Sequence, residues 1–152
     1  MKLTSSAFEH NGEIPKKYTC QGEDISPPLN IEDVPVSAKS LILIMDDPDI
    51  PDFVKQKFKI QEWDHWILFN IDQKTKIIKE DSSPGILGKN TSNKNIYQGP
   101  CPPDKRHRYF FRLYALDCLL RLQEGATKKQ VLDATKGRIL GQTELIGTYE
   151  KS

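Results

Sequence analysis

The sequence predicts a mainly β fold, with antiparallel β-sandwich or Greek-key sheets and one or two short helices, one of them near the C-terminus. Three observations carry that expectation. Short runs of branched and aromatic residues recur along the chain, prolines cluster between them, and only one segment shows a complete helix start. The ten prolines all fall at or before position 103, seven of them grouped as Pro27-Pro28, Pro48 with Pro51, and Pro100 with Pro102-Pro103. Proline fixes φ and lacks a backbone donor, so these groups belong in loops or at sheet edges.

Taken in order, Leu41-Ile42-Leu43-Ile44-Met45 is a continuous apolar run, the pattern of a central strand buried on both faces. A short helix is expected near Val54–Phe58. His65-Trp66-Ile67-Leu68-Phe69-Asn70-Ile71 reads as a second strand and Tyr109–Leu116 as a third, both rich in aromatic and branched residues. Thr127-Lys128-Lys129-Gln130 matches a capping box, in which the Thr hydroxyl accepts an early amide and Gln reaches back. Gly137 supplies a stop, and Thr143–Tyr149 reads as the last strand.

At 152 residues the chain fits one domain over positions 1–152, and no repeat or linker divides it. A net charge of +1 argues against whole-molecule attraction to nucleic acid or to an anionic membrane. Lys105-Arg106-His107-Arg108 is basic only locally, as solvated loops are. The longest aliphatic run is far short of the ~20 residues of a membrane span, and Met1–Ser6 has no apolar stretch of signal-peptide length. Three cysteines, widely spaced and without a CxxC pair, suit reduced thiols and a cytoplasmic protein. The alternative of a Cys20–Cys101 bridge stays open.

Two of the three histidines stand where a loop becomes a strand, His65 before the second and His107 before the third. Asp47 lies just past the first. If the Leu41–Met45 strand sits between the other two and antiparallel to both, its C-terminal end lies beside both their N-terminal ends. Asp47, His65 and His107 then share one rim. Gly99-Pro100 would give that rim a stiff wall open to close ligand approach, and Trp63, Trp66 and Tyr109 are candidates to line it. Each part has a plainer reading: Asp47-Pro48-Asp49 as a turn, the tryptophans as core, a lone histidine as packing.

Together these residues resemble a known family. Tyr18-Thr19-Cys20-Gln21-Gly22-Glu23-Asp24-Ile25-Ser26-Pro27-Pro28-Leu29 is similar to the opening of bacterial phosphatidylethanolamine-binding, or Raf-kinase-inhibitor-like, proteins. Asp47-Pro48-Asp49-Ile50-Pro51 resembles that family's DPDxP box. His65-Trp66 with Asn70-Ile71, and Gly99-Pro100-Cys101-Pro102-Pro103 with His107-Arg108-Tyr109, resemble its second and third boxes. The resemblance implies a cavity for a small anion or a phosphorylated head group, formed by Asp47, Pro51, Trp63, His65, Gly99, Pro100, His107 and Tyr109. It also implies a cis bond before Pro51, no cofactor and no metal. A kinase or protease partner and a homodimer are further expectations of the same origin. The chain departs from the family at Ile60, where eukaryotic members have tyrosine, and at Asp104-Lys105-Arg106, where bacterial members usually carry a glycine.

The expected chemistry is binding rather than catalysis. His65 and His107 would donate to the anion, helped by amides near Gly99, while Asp47 orients an imidazole or accepts a head-group ammonium. The competing reading is a hydrolase or metal-dependent enzyme, since Asp47, His65 and His107 also suit general-base or zinc chemistry. Cys101 is its only nearby nucleophile candidate.

Overall fold

The apolar run at residues 41–45 lies at the centre of the larger of two sheets. The computed structural model describes residues 1–152. Its elements in chain order are β1 (Lys2–Thr4), β2 (Gly12–Glu13), β3 (Leu29–Glu32), β4 (Ser40–Asp47), α1 (Asp52–Phe58), β5 (Trp63–Ile71), β6 (Ile77–Ile78), β7 (Ile86–Leu87), β8 (His107–Leu116), α2 (Lys128–Ala134) and β9 (Ile139–Tyr149). The small sheet runs β1-β3-β6 and the large one β2-β9-β8-β4-β5-β7. Pairing is antiparallel throughout except between β2 and β9, which run parallel.

Every residue of β4 is buried, and the two faces of the strand enter different clusters. Leu41, Leu43 and Met45 face the small sheet and pack with Leu3, Leu29, Ile31, Trp66 and Phe111. Ile42 and Ile44 face the other way, toward Ile67, Phe69, Leu120 and Val131 of α2. A strand sandwiched between two apolar layers has no side free for polar residues, which is why its sequence is apolar without alternation. The helix α2 begins on the expected capping box, with the Thr127 side chain accepting from the Gln130 amide and the Gln130 side chain from the Thr127 amide. The other helix, α1, starts directly after Pro51 and ends at Lys59, whose φ of 56° is left-handed.

Two expectations are corrected. All peptide bonds are trans, that before Pro51 included. The chain leaves β4 through a turn closed by Asp47, whose Oδ1 accepts the Asp49 amide at 2.7 Å, and Pro51 then caps α1 in an extended conformation. Cys20 and Cys101 are joined in a disulfide, and Cys118 is the free cysteine. The bridge forms because the loop before β3 packs against the loop before β8, where the Cys20 amide donates to the Pro100 carbonyl at 3.1 Å. The expectation of reduced thiols therefore holds for Cys118 alone.

No helix is long and apolar enough to cross a membrane. A thiol assay on protein purified in air and unfolded without reductant is expected to find one reactive thiol per chain, rising to three after reduction. Three before reduction would refute the bridge.

Candidate functional site

The β4 strand pairs with β5 on one side and β8 on the other, antiparallel to both. Its C-terminal end therefore lies beside the starts of both neighbours, and Asp47, His65 and His107 meet at one rim. They line a cavity of about 240 Å³ together with Pro51, Trp63, Gln98, Gly99 and Tyr109, and with Cys101, Pro102 and Pro103 of the disulfide-bonded loop. The volume suits a small polar head group and lies below the range of about 300–1,000 Å³ of drug-sized pockets.

Alternation places Asp47, His107 and Tyr109 on the same face of the sheet as Met45 and Phe111. It would place His65 with Ile67 on the opposite face. A register shift prevents this: Met45 pairs with Trp66, but Asp46 pairs with Asp64, so His65 is the extra residue of a β-bulge. A bulge re-aims one side chain and reverses the alternation beyond it. Trp63 and His65 thereby reach the cavity, while Asp64 points to the other face and pairs with Lys128 of α2 at 2.6 Å.

His107 is held between two carboxylates. Its Nδ1 lies 2.7 Å from Asp47 Oδ2, and its Nε2 lies 2.6 Å from Asp104 Oδ1. The ring is fully buried and Asp47 nearly so, whereas the Asp104 side chain is 42% exposed and reaches in from the solvent side. The Asp104 carboxylate accepts from Nε2, and Nδ1 shares a hydrogen bond with the Asp47 carboxyl. Burial pushes the Asp47 carboxyl up from the usual carboxylate range, opposed by the bonds from His107 and the Asp49 amide. The bond from His107 holds Asp104 below that range.

His65 behaves differently. Its Nδ1 lies 2.7 Å from the Gln98 carbonyl, which can only accept, so Nδ1 carries the proton and Nε2 is left as an acceptor in the neutral ring. Burial lowers its pKa from 6.5 to about 4, against the opposing pull of the Gln98 and Gly99 backbone. The ring meets Tyr109 edge-on at 5.3 Å between centroids. The Tyr109 hydroxyl is buried and makes no hydrogen bond within the protein, although the Cys101 amide lies near enough to oppose the rise in its pKa. Burial holds this phenol well above its ordinary pKa, so it remains a neutral donor.

Several details differ from the sequence reading. His65 has no donor left for the cavity, because its Nδ1–H is used by the Gln98 carbonyl. The Gly99 amide is already used, donating to Asp24 Oδ1 at 2.8 Å. Gly99 lacks a side chain because a Cβ there would lie 2.3 Å from both that carboxylate and the Tyr18 carbonyl, so the close approach is to the chain's own loop. Pro100 and Ile60 lie outside the cavity lining. Trp66 is core, with no exposed surface and its indole N–H on Ser83. Both Asp47 oxygens are engaged, leaving it poorly placed for a head-group ammonium.

Sequence reasoning missed the contact of Asp104, although its spacing of three residues from His107 was on view. It also missed the clamp of Arg108, which binds Asp49 through Nε and Nη2 at 2.9 and 2.8 Å. That pair and the Asp47 turn together make Asp47-Pro48-Asp49 both a structural turn and a cavity wall.

A two-layered β fold with a small His/Asp/Tyr cavity at the rim of its larger sheet defines a ligand-binding class of protein. The family model described as phosphatidylethanolamine-binding protein matches residues 4–150. A relative from Chlamydia pneumoniae, described as a UPF0098 protein, is 48% identical over the whole of both chains. One from Methanothermobacter thermautotrophicus is 46% identical over 99% of each. Among solved structures, a phosphatidylethanolamine-binding protein homologue of Chlamydia trachomatis superposes with a TM-score of 0.94 at 48% identity, covering 99% of this chain and 97% of that one. The Escherichia coli protein YbcL shares the fold at a TM-score of 0.86 and 23% identity, covering 99% and 98%. The chain belongs to the phosphatidylethanolamine-binding protein family, in its bacterial and archaeal branch.

The neutral, buried His65 makes stability depend on pH. Between about pH 6.5 and pH 4 the unfolded chain takes up a proton that the folded chain refuses. The contribution is therefore complete above that window and is lost as pH falls through it. The difference corresponds to roughly 3 kcal/mol. Urea denaturation at pH 7 and pH 4.5 is expected to show a loss of this order that shrinks in His65→Gln. An equal loss in the variant would mean that His65 does not carry it.

Proposed function

We propose that the chain binds a small anion or a phosphorylated head group in the cavity at the ends of β4, β5 and β8, and does not turn it over. The observation that carries this reading is the buried Tyr109 hydroxyl without a partner, beside an imidazole held in place by Asp47. A buried polar group left unpaired is costly. An oxyanion accepting from Tyr109 and from His107 Nε2 would satisfy the first and use the second. His65 contributes shape and an acceptor, which suits the hydroxyl of a phosphate ester or of a protonated phosphate.

Three observations favour binding over catalysis or metal chemistry. Cys101, the one nucleophile candidate, is bonded to Cys20. His65 has its proton on a carbonyl and a pKa near 4, which makes it a weak base. His107 has both nitrogens engaged by carboxylates, so a metal would have to displace one of them to reach the ring.

The place of action is not carried by the cysteines. A cytoplasmic chain was expected from reduced thiols, and the Cys20–Cys101 bond removes that support, since such bonds persist mainly in oxidising compartments.

Charge-assisted hydrogen bonds contribute about 1.5–3 kcal/mol each, which gives a small anion micromolar to millimolar affinity. Titration with inorganic phosphate and with phosphoethanolamine, followed by ¹H–¹⁵N NMR, is expected to shift the amides around His107, Tyr109 and Gln98. Tyr109→Phe should weaken binding about ten-fold or more. A spectrum unmoved by millimolar phosphate would overturn the reading. A broad phosphatase and esterase screen should find no turnover above that of His65→Ala.

A further inference from the structure

The outward nitrogen of His107, the donor that the proposed anion needs, already holds an anion. Asp104 Oδ1 sits 2.6 Å from Nε2. We infer that Asp104 is a tethered competitor for this donor, so that the ligand binds by displacing it, and that the residue thereby selects doubly charged phosphate groups over single carboxylates. The inference rests on the anion-binding reading and adds the residue that sets its affinity and selectivity.

Four observations support it. First, Asp104 lies on a strap of five residues between two anchors, Cys101 in the Cys20–Cys101 bridge and His107, the first residue of β8. Its carboxylate cannot leave the neighbourhood, and a short tether corresponds to an effective concentration in the millimolar range. Second, the contact is not a buried structural pair. Asp104 is 42% exposed, in contrast to 4% for Asp47 on the opposite nitrogen, so its carboxylate can turn out to water without leaving a buried charge behind. The ring meanwhile keeps its position through Asp47.

Third, the local charges disfavour an anion while Asp104 is in place. Asp47 and Asp104 flank one imidazole, Asp49 is neutralised by Arg108, and Arg106 is turned to Glu150. Adding a phosphate to that arrangement would bring like charges together; exchanging it for the Asp104 carboxylate would not. Fourth, the unpartnered Tyr109 hydroxyl is something Asp104 leaves unused. A free monocarboxylate repeats the one bond that Asp104 makes and bears the full entropic cost of association. A phosphate monoester dianion brings more charge and further oxygens, enough to engage His107 and Tyr109 together.

The test compares wild type, Asp104→Asn and Asp104→Ala, with inorganic phosphate, phosphoethanolamine and acetate as probes, by calorimetry or by NMR titration. A displaced charged hydrogen bond corresponds to a factor of about ten or more. Phosphate and phosphoethanolamine are expected to bind both variants at least ten-fold more tightly than wild type. Acetate should gain detectable binding in Asp104→Ala only. In wild type, saturating phosphate should shift the Asp104 side-chain carboxylate ¹³C signal toward that of a solvated aspartate. This last measurement needs no substitution and stands even if a variant folds poorly.

Equal or weaker phosphate affinity in folded variants, or an Asp104 signal unmoved at saturation, would overturn the inference while leaving anion binding intact. Failure of phosphate and phosphoethanolamine to bind any of the three proteins would overturn both.

Discussion

The hydrogen bond between Asp47 and His107 joins the end of one central strand to the start of the next, and the site is organised around it. Both partners are buried, so removing either would strand a polar or charged group away from water, a cost of about 3–5 kcal/mol for a buried ion pair. The same Asp47 carboxylate closes the turn after β4 through the Asp49 amide. Asp49 in turn receives the Arg108 backbone and guanidinium. Two carboxylates and two basic residues thus tie the β4 exit to the β8 entrance on both sides of the rim. Backbone position and ring orientation are set by the same atoms, which gives the cavity a defined shape before any ligand arrives.

Around that bond, two other constraints complete the walls. The bulge at His65 is a local change of phase with a large effect, because it moves an imidazole and an indole across the sheet. Beside them, the Gly99–Cys101 segment is held by the Tyr18–Asp24 loop as much as by its own neighbours in the chain. It is held by the disulfide, by Asp24 on the Gly99 amide, and by the Tyr97 hydroxyl on the Tyr18 carbonyl at 2.8 Å. The cavity is therefore built by chain segments far apart in sequence, none of which forms it alone.

Much of this was legible in the residues. A short continuous apolar run bounded by turn signals reads as a strand covered on both faces, and Leu41–Met45 is one. Once that strand is assumed to lie between the other two and antiparallel to both, its end meets their starts, which brings Asp47 to His107. The phase of His65 was not legible, since a bulge leaves no mark in composition and simple alternation points the ring the wrong way. The Cys20–Cys101 bond was hidden for a similar reason: a separation of 81 positions says nothing about proximity until the loops are placed. Gly99 was legible as a close approach but not as an approach to the chain itself. Asp104 stood out as a departure from the family pattern, and only coordinates could show that its carboxylate turns back onto the ring three residues later.

The two tryptophans have separate surroundings. Trp63 lines the cavity, with its N–H on the Gln98 side chain and Phe58 against its ring, while Trp66 lies wholly inside the packed interior. Their intrinsic fluorescence accordingly contains two independent reporters. The first senses events at the mouth of the sheet, and the second senses the integrity of the fold. Replacing either one by phenylalanine isolates the other, so that occupancy and unfolding can be followed in the same molecule without an added dye.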